Sequence, residues 1–384
     1  FAVARAMSPS KPIRVLHLGT ESRWRGGENQ IRLLIEGSRD EVEHFVCYPR
    51  GSRGLEVFAA MVPTLALHRS TPSSLTDVLR VRQWCRERSI DVVDAHSGNA
   101  HTIALLALIA GARSKLVVHR RVARRLRRAL HTRWKYRSAR VSRFVAISQF
   151  IETTLLEYGV PAERVRVVRS AVPMRTVAPD ARVRARHALR TFVDLPDEAF
   201  VIGNASALTR EKGYQVLIGA LADLQARSAT PFHCVIAGDG PLRRELQQPC
   251  RELALVDHVT FLGHVDGVTD LLPAFDVLAL PSLREGLGTL LLDATLAGCT
   301  LVASDVGGIP EIVRHGETGL LVPPDDPSAL AGALAALAND RDRRARLQQQ
   351  ARSWIAQEFS VERMVAGNLS VYRSVLSRSE SPSP

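Results

Sequence analysis

The run Pro281-Ser-Leu-Arg-Glu-Gly-Leu-Gly-Thr289 places more chemical capability in one loop than any other stretch of the chain. An apolar strand leads into Glu285, Gly286, Leu287 and Gly288, and a helix begins near Thr289. Glycines allow a close backbone approach, and the free N–H groups of a helix start hold an anion such as a diphosphate. Glu285 stands beside that position. Asp293 lies about one helical turn beyond Thr289, where its carboxylate can accept hydrogen bonds from ribose hydroxyls. Lys212, in Arg210-Glu-Lys-Gly213, falls after a strand and before a helix, within reach of the same diphosphate. In the first half, Gly26 and Gly27 follow the first strand, and His96 and His119 each end a strand. Each feature has a plainer alternative: a turn capped by Thr289, a solvated Arg-Glu-Lys surface, a helix cap at Glu28, or structurally satisfied histidines.

Such residues need a scaffold that gathers loops at one end of a sheet. In the first half, Ile13–Leu18, Val42–Tyr48, Asp91–Ala95, Leu116–Val118, Arg143–Ile147 and Val165–Val168 read as strands. Helices are expected over Glu28–Ser38, Leu75–Arg88, His101–Ala110 and Gln149–Tyr158, the last capped by Ser148. The second half repeats the rhythm with strands at Phe200–Gly203, His233–Ala237, Val259–Leu262, Val277–Leu280 and Leu301–Ala303. Helices fall at Tyr214–Arg227 and Thr289–Ala297, and the stretch from Pro327 to Leu376 is mostly helical. The fold class is therefore α/β, with two doubly wound parallel sheets facing a central cleft. The expected divisions are a domain at 12–172, a linker at 173–198, a second domain at 199–355, and a helix at 356–377 packing back on the first.

Composition narrows the setting. The 384 residues, 46% hydrophobic, suit two domains with real cores. No apolar run reaches the roughly 20 residues that span a bilayer. Five scattered cysteines show no metal-ligand spacing and suit a reducing, cytoplasmic setting as core filler. The first twelve residues carry no signal-peptide core and read as a frayed leader, with Met7 a candidate start. A formal net charge of +12 calls for an anionic partner. Between Arg120 and Arg143 stand ten arginines and one lysine without an acid. Val122, Leu126, Leu130 and Trp134 recur there every four residues. That pattern predicts an amphipathic helix for an anionic membrane surface, peripheral on the inner face of the plasma membrane, against the plainer reading of a solvated basic face. No aromatic platform supports nucleic acid.

Glu285 and Asp293 together resemble the E-x7-E motif of the retaining glycosyltransferases of family 4, with Asp293 in place of the second Glu. Gly238-Asp-Gly-Pro241, Phe261-Leu-Gly263, Gly307-Gly-Ile-Pro-Glu311 and Gly316-Glu-Thr-Gly-Leu-Leu-Val-Pro-Pro324 fall where that family has them. The likeness is densest over residues 200–330 and is specific as a set. It implies the GT-B fold, no essential metal or cofactor, and a UDP-, GDP- or ADP-sugar donor held by the second domain, Gly238 and Gly240 included. It also implies Lys212 and the loop Gly26–Gly27 on the donor phosphate, and His119 and Glu285 on the donor sugar. The family often has an arginine five positions before that lysine, where this chain has Ala207, so Arg210 is a candidate substitute. His96, Arg120 and Arg121 would line the side of a glycan or glycolipid acceptor, such as a lipopolysaccharide core. The competing readings are a sugar-nucleotide epimerase on the same fold and a non-catalytic basic binder of nucleotide sugars or nucleic acid.

Overall fold

The structure is a computed structural model that describes residues 11–377 except 69–73, 124–128, 175–177, 179, 194, 197, 228 and 229. The first sheet contains β1 (Ile13–Leu18), β2 (Val42–Pro49), β3 (Thr64–Leu67), β4 (Val92–Ala95), β5 (Lys115–Arg120), β6 (Val141–Ala146) and β7 (Val165–Val167). The second contains β8 (Phe200–Asn204), β9 (Phe232–Ala237), β10 (Val259–Gly263), β11 (Val277–Leu280), β12 (Thr300–Ser304) and β13 (Leu320–Val322). Their orders are β3-β2-β1-β4-β5-β6-β7 and β10-β9-β8-β11-β12-β13. Neighbouring strands pair in parallel throughout. Strand order reverses between β1 and β4 and again between β8 and β11. Chains leaving the carboxyl ends of such neighbours splay to opposite faces and open a crevice. Gly26, His96, Lys212 and Glu285 all follow one of these four strands.

Two short strands and two helices, Arg53–Ala59 and Arg243–Glu252, were not expected. β3 is a four-residue, half-buried edge strand, too short to show a periodic pattern. β13 sits inside a Gly- and Pro-rich string. The helix Arg53–Ala59 is barely two turns long. The stretch read as a linker contains the helix Ala181–Arg190, and this helix is docked rather than free. Arg182 and Arg186 each reach Asp276 at 2.6 Å, and Asp276 also accepts from the Val201 N–H at the start of β8.

The last helix, Val361–Ser377, returns to the first sheet. Met364, Leu369, Tyr372 and Val375 are buried with Val15, Val117 and Val145 of β1, β5 and β6. All five cysteines are buried and unpaired. Among the described residues no helix is long and apolar enough to cross a membrane.

The basic stretch departs from expectation. Its helix covers only Leu130–Arg137, Val122 lies in irregular chain before it, and Leu126 falls outside the described residues. Among the described residues Val122 therefore does not share the helix that carries Leu130 and Trp134. Arg143 sits in β6 at 2% exposure, and Arg120 ends β5 and donates to the Tyr136 hydroxyl at 3.2 Å. The strand period, not the helix period, decides where these arginines point.

Candidate functional site

The second lobe builds its half of the site from two strand–turn units. After β8 the chain turns through Arg210–Lys212 and reverses at Gly213, whose φ of +65° favours glycine. This turn lies against the end of β11, where the Leu283 N–H donates to the Glu211 carbonyl at 2.8 Å. The contact brings Lys212 Nζ to 2.5 Å from Glu285 Oε2. Glu285 Oε1 also lies 3.3 Å from the Gly286 N–H. Gly288, at φ +89°, starts the helix Thr289–Leu296, which carries the half-buried Asp293. A cation, a carboxylate and a helix start thus share one crevice edge.

The first lobe closes over it. A Cβ placed on Gly26 would come 3.2 Å from Thr289 Oγ1, and one on Gly286 would come 2.5 Å from the Arg121 carbonyl oxygen. Ser148 Oγ caps the helix Gln149–Glu157 and also donates to the Gly286 carbonyl at 2.7 Å. Glu311 ties the lobes from the other side. One oxygen accepts from the Phe150 N–H and the other meets Arg169 Nε, each at 3.2 Å.

Under this seam lies a row of buried imidazoles. His96 Nε2 is 3.1 Å from His17 Nδ1, His17 Nε2 is 2.9 Å from His44 Nδ1, and His44 Nε2 is 3.0 Å from Ser38 Oγ. His119 Nε2 stands 3.2 Å from Asp94 Oδ2, and the Tyr372 hydroxyl donates to the same oxygen at 2.5 Å. Arg121 Nη2 is 3.5 Å from His119 Nδ1.

The two lobes match different halves of one family. Residues 24–175 match the family described as Glycosyltransferase Family 4, and residues 186–354 match Glycosyl transferases group 1. A GDP-mannose-dependent alpha-(1-6)-phosphatidylinositol monomannoside mannosyltransferase of Mycobacterium tuberculosis is 32% identical over 332 residues, covering 78% of this chain and 80% of that protein. The chain belongs to the family 4, group 1 glycosyltransferases. A D-inositol 3-phosphate glycosyltransferase of Salinispora tropica is 34% identical over 250 residues, covering 61% of the chain and 51% of that protein. The crystal structure of Anabaena Alr3699/HepE in complex with UDP and glucose superposes with a TM-score of 0.82 at 23% identity, covering 94% of this chain and all of that one. That likeness establishes the GT-B fold.

In this glycosyltransferase the expected donor residues are not equivalent. Lys212, Glu285, Gly286 and Thr289 meet at the seam. Leu287 is 1% exposed, side chain and backbone together, and packs in the core rather than facing a ligand. Gly238 and Gly240 press against the Ser206 and Leu208 backbone, where a Cβ would collide, so packing by itself is enough to require glycine there. Arg210 is exposed. His96 and His119 each have the side chain only 3% exposed: His96 belongs to the buried row rather than to an open acceptor wall, and His119 is enclosed between Asp94 and Arg121, so a donor sugar would have to displace Arg121 to reach it. Arg121 lies where the lobes meet, and Arg120 points to Tyr136. Glu28 is indeed a cap, accepting from the Arg25 N–H at 3.0 Å and from the Tyr48 hydroxyl, and burial pushes its carboxyl up.

Sequence reading passed over His17, His44, Asp94 and Tyr372. A signal existed for three of them: polar side chains inside otherwise apolar parallel strands, which bury both faces.

Burial pushes His17 down to about 4, His44 to about 2 and His101 to about 3. Unfolded imidazoles titrate near 6.5, so between that pH and about 4 the unfolded chain binds more protons. Folding stability is therefore expected to fall as pH drops from 7 to 4.5, by up to about 1.4 kcal/mol per pH unit for each imidazole. Thermal melts across this range check it, and His101→Leu should flatten the slope. Burial works to raise the Asp94 carboxyl, and His119 together with His96 and His17 outweighs it, so its contribution is lost only below the ordinary carboxylate range.

Proposed function

We propose that this glycosyltransferase moves a hexose from a nucleoside diphosphate to an acceptor hydroxyl with retention at the anomeric carbon. The Lys212–Glu285 pair at the carboxyl ends of β8 and β11, beside the helix start at Thr289 that Gly26 approaches from the first lobe, carries this reading. The bond from the anomeric carbon to the diphosphate breaks, and the acceptor oxygen bonds to that carbon on the same face. The acceptor proton passes to the departing phosphate oxygen, so no protein nucleophile is required. Lys212, the Gly26–Gly27 loop and the helix start at Thr289 stabilise charge growing on the diphosphate. Glu285 and His119 hold donor-sugar hydroxyls.

The name of the mycobacterial relative makes GDP-mannose the first donor to test and an inositol-containing lipid the first acceptor. In a panel of UDP-, GDP- and ADP-sugars, the true donor at a hundred times its Kd should stabilise the protein by about 2.7 kcal/mol. Turnover should then yield free nucleoside diphosphate and a glycosylated acceptor. An isomerised sugar nucleotide, or donor binding without product, would favour the epimerase or non-catalytic alternative.

The acceptor is proposed to lie at an anionic membrane surface. Leu130 is 84% exposed and Trp134 43%, beside exposed Arg133 and Arg137. Apolar side chains ringed by arginines suit the boundary between headgroups and acyl chains. Vesicles rich in phosphatidylglycerol should carry the protein in flotation. The double variant Leu130→Asp with Trp134→Asp should cut recovery about tenfold. Equal recovery on neutral and anionic vesicles would remove the membrane from the proposal.

A further inference from the structure

Asp94 is a carboxylate at 0% exposure within the first sheet, and a buried charge must be compensated. Its surroundings can be read proton by proton. Ser38 donates its hydroxyl proton to the Leu34 carbonyl at 2.6 Å, so the His44 contact is an N–H donation from Nε2 into Ser38 Oγ. His44 Nδ1 is then bare and accepts from His17 Nε2–H. His17 Nδ1 is bare in turn and accepts from His96 Nε2–H. Every proton in the row points away from Asp94.

His17 Nδ1, His96 Nε2 and Asp94 Oδ2 also lie close enough together to hold a metal ion. Metal binding would move the His96 proton to Nδ1, which is buried and has no acceptor among the described residues. Ligating imidazoles hand that proton to a partner. The hydrogen-bonded row is therefore the better assignment. It leaves Asp94 Oδ2 to Tyr372 and His119.

We infer that Asp94, clamped by Tyr372 of the last helix, is the positioning residue for His119: it fixes the ring as the Nε2–H tautomer and keeps Nδ1 an acceptor, met by Arg121 Nη2 in this structure and by a donor-sugar hydroxyl in its place when donor is bound. The inference rests on the proposed role of His119 on the donor sugar. The 3.2 Å contact between His119 and Asp94 is oblique, and such contacts commonly tighten once substrate is bound. Arg121 Nη2, on the Nδ1 side of the ring, favours the same tautomer because it can only donate. The closing helix of the chain thus reaches the reacting end of the site through one hydroxyl, 278 residues distant from its partner in sequence.

Two readouts separate this role from a structural one. Asp94→Asn is expected to lower kcat about 10–100-fold with a much smaller change in donor KM, and Tyr372→Phe about fivefold. In a His119→Ala background, either substitution should cost less than about twofold. If the cost is the same with and without His119, the inference fails. Should Asp94→Asn not fold, Tyr372→Phe carries the same cycle. The 15N shifts of the His119 ring report its tautomer without turnover, as Nε2–H in the wild type and mixed in Asp94→Asn. An Nδ1–H ring in the wild type, or one equivalent of tightly bound zinc in the purified protein, would overturn the inference. The expected tautomer in a protein that transfers no sugar would sink the donor-site reading alone.

Discussion

Replacing Lys212 or Glu285 by alanine is expected to reduce turnover at least about a hundredfold, the usual cost of removing one electrostatic stabiliser from a reacting centre. Lys212 has one role in the folded protein and another in the reaction. It neutralises Glu285 at 2.5 Å, and in the proposed reaction it would neutralise the departing diphosphate. The family arginine is Ala207 here, which leaves Arg210 as the candidate second cation for that role. The side chains are 25% and 16% exposed, so part of their mutual attraction is already screened by water. Losing either should therefore lower the melting temperature only a few degrees. The measurements are the rate of nucleoside diphosphate release with the best donor and a thermal melt of each variant. Near-normal rates in either variant would remove the pair from the chemistry.

The acid-bearing loop was legible because its parts are contiguous: strand, glycine turn, helix and carboxylate lie within thirteen residues, Pro281–Asp293. Local order of that kind survives translation into structure with small errors at the ends of elements. The union of Lys212 with Glu285 was legible only through resemblance. The two lie 73 residues apart and meet because β8 and β11 are neighbours at a reversal of strand order.

Charge counts misled because they carry no direction. A tally of arginines over 120–143 does not say which way a strand turns them, and it took Arg143 inside and Arg120 onto Tyr136. Gly238 and Gly240 read as ligand glycines through the resemblance, and the neighbouring backbone at Ser206 and Leu208 independently forbids a side chain there. The buried row of His17, His44, Asp94 and His96 was visible as polar residues in apolar strands, but its purpose depends on Tyr372, which arrives from the far end of the chain. Contacts of such sequence separation leave no local pattern to read.

Gly213→Ala should disable the enzyme more thoroughly than its size implies. The residue has a left-handed φ of +65°, and an added Cβ would fall inside the van der Waals shell of the Pro281 carbonyl oxygen. The conformation alone costs alanine about 1 kcal/mol, and backbone cannot move aside as a flexible side chain can. The turn must separate from the end of β11, which breaks the Leu283–Glu211 contact and withdraws Lys212 from Glu285. A total near 3 kcal/mol corresponds to a fall of roughly 6–12 °C in the melting temperature of the second lobe. Turnover should drop more than about a hundredfold, because the lysine is displaced along with the turn. Gly298→Ala is the matched control: its φ is +85°, but nothing lies within 4 Å of the added atom. It should show the conformational cost, about 2–4 °C, and retain activity. If Gly213→Ala keeps its activity while losing stability, Lys212 is not held by the turn. If both variants behave alike, contact with Pro281 is not what requires glycine at this position.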